Sequence, residues 1–173
     1  MNVLELFKPV TTFVFDVDGV LTDGSLLILS DGLMARRMNI KDGYALQLAV
    51  KKGYHVVIIS GGNSPEVQDR LLKLGVKQVF MRVENKKKLL EEYMQQNQLA
   101  YNEILFMGDD IPDHDVMTMV GLPCCPADAV AEIREIAKYI SPVAGGAGCA
   151  RDVIEKVLKL RNDWSIDTQI KSQ

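Results

Sequence analysis

Four places along the chain combine residues whose types and spacing suit metal-assisted chemistry. Asp16-Val17-Asp18-Gly19 follows the β-branched and aromatic run Thr12–Phe15, and Ser60-Gly61-Gly62 follows the apolar run Tyr54–Ile59. Lys86 opens the amphipathic stretch after Gln78–Met81, and Gly108-Asp109-Asp110 follows Ile104–Met107, with Asp113 one turn later. If the four runs lie side by side as strands, these carboxylates, the hydroxyl and the ammonium share one rim. Side-chain alternation turns positions 16 and 18 the same way if the first strand continues. Carboxylates so crowded repel: at ~4 Å and an effective dielectric near 20, a pair costs about 4 kcal/mol. A cation must offset that, and hard oxygen ligands favour Mg²⁺. Any single aspartate here could merely form an Asx-turn or cap the next helix, as Asp113 could in a helical first turn. Four such clusters together are a stronger signal than any one.

The elements that position them alternate in type. Between the runs lie segments with apolar residues at helical spacing: Tyr44–Lys52, Pro65–Leu74, Lys87–Gln98 and Ile111–Val120. Continuous apolar strands alternating with amphipathic helices predict an α/β fold: a three-layer, doubly wound parallel sheet covered on both faces. Ligands in such sheets sit beyond the carboxyl ends of the strands, where all four clusters fall. Gly53 and Gly75 sit where helix C-terminal glycines belong, and Ser64-Pro65 reads as an N-cap followed by proline. Leu26–Ser30 and Met34–Ile40, joined by Asp31-Gly32, predict a hairpin inserted between the first strand and the first helix. The chain then continues with Leu122–Cys125, a helix Ala129–Lys138, a short run Tyr139–Ser141, the segment Gly145-Gly146-Ala147-Gly148 and a helix from Ala150 to about Leu160. One domain over 1–163, with the hairpin insertion at 25–40 and a flexible tail at 164–173, accounts for the 173 residues.

Composition narrows the function further. At 47% hydrophobic and 25% charged the chain is globular in character, which excludes disordered and collagen-like classes. The net charge of −3 gives no basic surface for nucleic acid or acidic membranes. No apolar stretch reaches the ~18 residues of a membrane span, and the N-terminus has no secretory pattern, so a cytoplasmic protein is expected. Three cysteines, two adjacent, form neither a disulfide framework nor a zinc spacing. His55, at the start of an apolar strand, and His114, without a nameable partner, read as structural.

The run Phe15-Asp16-Val17-Asp18-Gly19-Val20-Leu21-Thr22 resembles the first motif of the haloacid dehalogenase (HAD) superfamily of phosphatases. Ser60, Lys86 and Gly108-Asp109-Asp110-Ile111-Pro112-Asp113 fit its other three motifs in order, and the resemblance covers about residues 10–160. It implies a phosphate monoester hydrolase in which Asp16 is the nucleophile and forms an aspartyl-phosphate. Asp18 would protonate the leaving oxygen and then deprotonate the attacking water, Ser60 and Gly61 would bind the phosphoryl oxygens, and Lys86 would neutralise them. Asp16, Asp18 and Asp109 would hold Mg²⁺, supported by Asp110 and Asp113. Splitting so slow a hydrolysis through a covalent intermediate makes two accessible steps.

Many members carry a cap domain. Here about 40 residues separate Asp18 from Ser60 and about 25 separate Ser60 from Lys86, so no cap fits. This capless layout resembles the subfamily acting on 3-deoxy-D-manno-octulosonate 8-phosphate (KDO 8-phosphate) in lipopolysaccharide synthesis. The similarity runs through Asp18-Gly19-Val20-Leu21-Thr22-Asp23-Gly24, Asn39-Ile40-Lys41-Asp42-Gly43-Tyr44, and Gly145–Gly148 with Arg151-Asp152. It implies a homotetramer in which hairpins associate and a neighbouring subunit covers each site. It also implies that Asn39, Ile40, Lys41, Asp42, Gly43, Arg70 and Lys86 contact the sugar acid phosphate. At Gly62 the sequence departs from the subfamily's arginine, and it also lacks the glutamate of relatives acting on nine-carbon 2-keto-3-deoxy sugar acid 9-phosphates. The eight-carbon substrate fits the Asn39–Tyr44 stretch better. A receiver-type phospho-accepting module is disfavoured because the third strand ends in Met81-Arg82 rather than aspartate. A non-catalytic subunit is disfavoured because Asp16, Asp18, Ser60, Lys86 and Asp109 are all in place.

Overall fold

The structure, a computed structural model, describes residues 2–171. Six strands, β1 (Thr12–Phe15), β4 (His55–Ile59), β5 (Gln78–Phe80), β6 (Ile104–Met107), β7 (Leu122–Cys125) and β8 (Tyr139–Ile140), form one sheet in the order β5-β4-β1-β6-β7-β8. Every pair is parallel. All residues of β1, β6 and β7 are buried, as expected where helices cover both faces of a parallel sheet. One face packs on α1 (Ile40–Lys51), α2 (Pro65–Lys73) and α6 (Cys149–Leu160), the other on α3 (Lys86–Asn97), α4 (His114–Met117) and α5 (Ala131–Ile136). The expected three-layer α/β architecture without a cap domain is the one observed. Strand order reverses at β1, which pairs with β4 on one side and β6 on the other. That reversal opens a crevice at the carboxyl ends of β1 and β6.

Local differences from the sequence expectation have local causes. α1 begins at Ile40 rather than Tyr44, because the Asn39 side chain accepts the Lys41 amide (2.8 Å) and caps a helix one turn longer. The Ile111–Val120 stretch splits into a 3₁₀ turn at Ile111–Asp113 and the single-turn α4, since Gly121 must lead straight into β7. The hairpin is present as β2 (Leu27–Ile28) and β3 (Met34–Ala35), turning through Gly32 at φ +82°, but β3 stops before Arg36. Leu27 and Ile28 are 64% and 69% exposed at its outer strand. Residues 164–171, expected as part of a flexible tail, pack along α1. Trp164 meets Tyr44 edge to face, the Tyr44 hydroxyl donates to the Ser165 carbonyl (3.3 Å) and accepts the Asp167 amide (3.0 Å), and Lys51 pairs with Asp167. Tail residues 172–173 lie outside the described residues.

Candidate active site

Asp16 leaves β1 at the point of strand reversal. Its amide donates to the Met107 carbonyl of β6 (3.1 Å), which ties it beside the end of that strand. From there the chain turns sharply through Gly19 at φ +84°, a conformation suited to glycine. A Cβ at Gly19 would lie 1.9 Å from Asp109 Oδ2, so glycine is also what lets the two loops meet. Behind this turn the glycine segment acts as a buttress: the Gly146 amide donates to the Val20 carbonyl (2.9 Å), and a Cβ at Gly145 would lie 1.9 Å from the Gly19 carbonyl oxygen.

A crevice of about 360 Å³ opens here, lined among others by Asp16, Asp18, Ser60, Lys86, Asp109 and Asp113. Gly61 and Asp110 line it too, so the catalytic, phosphate-binding and supporting residues expected from the sequence share one cavity. The Lys86 ammonium, at the first position of α3, bridges Asp16 Oδ1 (3.0 Å) and Asp113 Oδ1 (2.6 Å). Asp113 Oδ2 accepts the Asp109 amide (3.1 Å), which fixes the backbone that presents Asp109. Ser60 is buried, and its Oγ accepts the Gly62 amide (3.1 Å).

Burial first, and then charge crowding, sets the protonation of the group. Burial, and then the Asp113 charge, push Asp16 up to about 7 against the opposing pull of Lys86. Burial and then the charges of Asp16, Asp113 and Asp110 push Asp109 up to about 8. Burial works to lower Lys86, yet the carboxylates of Asp16 and Asp113 outweigh it and leave the ammonium above its usual value. Carboxylate oxygens of Asp16, Asp109 and Asp113 lie within 4.8 Å of one another. Asp109 Oδ1 is buried without a hydrogen-bond partner among the described residues. An orphaned hard oxygen in a like-charged cluster is what a divalent cation satisfies, so the residues present fit one. Asp18, expected among the metal ligands, is not in this cluster. Its carboxylate is paired instead with the guanidinium of Arg36, Nε to Oδ1 at 2.6 Å and Nη2 to Oδ2 at 3.3 Å.

No family model matches the chain. The 3-deoxy-D-manno-octulosonate 8-phosphate phosphatase KdsC of Escherichia coli K12 is 31% identical to it over 157 residues, 91% of this chain and 84% of that protein. The chain belongs to the KDO 8-phosphate phosphatase family. It is therefore a HAD-superfamily phosphatase, a hydrolase of phosphoric monoesters. Solved structures of this family match the whole architecture. That of Moraxella catarrhalis KDO 8-phosphate phosphatase, in complex with magnesium ion, phosphate ion and KDO, aligns at TM-score 0.89 and 27% identity over 93% of this chain and 92% of that one. A cobalt-bound phosphatase from Haemophilus influenzae aligns at TM-score 0.86 and 25% identity over 91% and 92%.

In this KDO 8-phosphate phosphatase family member the expected substrate contacts are dispersed. Ile40 and Arg70 line a second groove of about 380 Å³ between the hairpin and α2, with Arg36 in its wall. Asn39 caps α1, and Gly43 packs under Arg70, whose Nη2 lies 3.3 Å from where a Cβ would be. Lys41 is exposed at the first turn of α1. Asp42 faces inward, buried between α1 and α6, where its Oδ1 accepts the Arg151 amide (2.7 Å). Arg36 is the residue that sequence reasoning missed. It lies 18 positions from Asp18, in a stretch that reads as strand, and only the way the hairpin folds back brings the two together.

Proposed function

We propose that this phosphatase hydrolyses KDO 8-phosphate to KDO and inorganic phosphate through an aspartyl-phosphate on Asp16. The observation that carries the reading is the grouping of Asp16, Asp18, Ser60, Lys86 and Asp109 around one crevice at the strand reversal, in a chain 31% identical to an enzyme of that name. In the first step an Asp16 carboxylate oxygen bonds to phosphorus as the phosphorus–sugar oxygen bond breaks, and Asp18 delivers a proton to that oxygen. In the second, water attacks phosphorus, Asp18 takes its proton, and the acyl-phosphate bond breaks to return the Asp16 carboxylate and free phosphate. Ser60 Oγ and the Gly61 backbone amide orient the phosphoryl oxygens. Lys86, held between Asp16 and Asp113, balances their charge as a fixed ammonium. Held by Asp16 and Asp109 beside Asp113, Mg²⁺ would supply the neutralisation that lets an anionic nucleophile approach an anionic phosphate.

The exposed apolar edge of the hairpin supports a homotetramer whose copies associate there and cover each other's crevices, since water exclusion strengthens the electrostatics of the site. The substrate is tested by measuring kcat/KM for KDO 8-phosphate, a nine-carbon 2-keto-3-deoxy acid 9-phosphate and p-nitrophenyl phosphate side by side. The eight-carbon ester is expected to lead. Preference for the nine-carbon ester, or equal turnover of all three, would refute the assignment.

A further inference from the structure

We propose that Arg36 is the positioning residue for Asp18, holding the proton-transfer carboxylate at the leaving-group side of the crevice from the hairpin. The inference rests on the acid–base reading of Asp18 given above. Asp18 sits on a turn with non-helical backbone angles, its side chain is 38% exposed, and among the described residues its carboxylate accepts hydrogen bonds from Arg36 alone. Arg36 grips both of its oxygens, through Nε and Nη2, while its Nη1 donates to the Met34 carbonyl (3.3 Å). Its own side chain is only 8% exposed. A planar, two-point guanidinium contact sets direction as well as charge, which a lysine in the same place would not.

Gly62 completes the arrangement. A Cβ there would lie 2.9 Å from Asp18 Oδ2, 3.5 Å from Arg36 Nη2 and 3.4 Å from Ser60 Oγ. Any side chain at 62 would press on the pair, so the glycine is the residue that leaves room for a guanidinium arriving from position 36. The same contact ties the hairpin to the chemistry, because β3 ends one residue before Arg36.

Leaving-group dependence separates positioning of Asp18 from a tether that merely holds the hairpin. KDO 8-phosphate has an alkyl leaving oxygen that must be protonated, whereas p-nitrophenolate departs as a stable anion. Because kcat/KM reports the first irreversible step, R36A is expected to lower it by about 10–100-fold for KDO 8-phosphate. For p-nitrophenyl phosphate the loss is expected to stay under about 3-fold. R36K, with its charge but no fork, should show the same selectivity at smaller amplitude, and it serves if R36A does not fold. D18N should show the selectivity in full, and in that background R36A should add nothing. Equal losses on both esters, no loss on KDO 8-phosphate, or an undiminished effect of R36A in D18N would overturn the proposal. Selectivity in D18N without any in R36A would sink the Arg36 role alone, and its absence from D18N would sink the acid–base reading with it.

Discussion

Replacing Asp42 by asparagine changes the pH dependence of stability in a way the fold specifies. Asp42 is 2% exposed, wedged between α1 and α6. Oδ1 accepts the Arg151 amide, and Oδ2 is buried without a hydrogen-bond partner among the described residues. Burial pushes the carboxyl up to about 6 from 3.8, against the weaker pull of the Arg151 amide and charge. Between those values the native state keeps a proton that the unfolded chain gives up, so native stability falls as pH rises from about 4 to about 6, then levels off. A rise of roughly two units corresponds to about 3 kcal/mol. Asparagine keeps an oxygen for the Arg151 amide and does not titrate. Urea denaturation of both proteins at pH 4.5, 5.5, 6.5 and 7.5 should therefore show the stability of D42N relative to the native chain climbing by about 2 kcal/mol over that span, the rest having been lost below pH 4.5. KM should change little, because the carboxylate faces α6 rather than the crevice. A flat difference across pH would refute the burial argument, and a large rise in KM at unchanged stability would place Asp42 against substrate.

Metal binding should be strongly pH dependent. Asp16 and Asp109, raised to about 7 and about 8, must shed protons to bind a cation, so Mg²⁺ affinity by titration calorimetry should rise from pH 6 to 8, approaching tenfold per unit for each proton released. An affinity flat over that range would contradict the proposed ligands. Association through the hairpin should be lost in L27D/I28D: light scattering should give about 77 kDa, four times 19.3 kDa, for the native chain and 19.3 kDa for the variant. A monomeric native chain with full activity would dismiss the neighbour as lid.

The strands were legible because burial on both faces leaves little choice of residue. Thr12–Phe15, Ile104–Met107 and Leu122–Cys125 are apolar runs ended by polar or turn residues, and each is a strand with those bounds. The crevice was legible for the same reason: once strands are parallel, whatever follows them lies at one rim, which put Asp16, Ser60 and Asp109 together. What depended on side-chain direction was not legible. Asp42 sits in a stretch read as substrate-binding, yet a shift of the helix start to Ile40 turns it toward Arg151. Asp18 follows Asp16 by two, but β1 ends at Phe15 and the chain leaves the strand direction before Asp18, so the Asp18 carboxylate meets Arg36 while those of Asp16, Asp109 and Asp113 lie together. Residues 164–171 have no periodicity to announce that Trp164 and Asp167 would find Tyr44 and Lys51.

The covalent role of Asp16 is tested most directly by trapping. Borohydride reduces an acyl phosphate to an alcohol, so quenching the enzyme during turnover and mapping its peptides by mass spectrometry should find homoserine at position 16, absent without substrate and absent in D16N. D16N should also lose at least ~10³-fold in kcat while keeping the native circular dichroism spectrum. Reduction at another carboxylate, or steady turnover by D16N, would contradict the account.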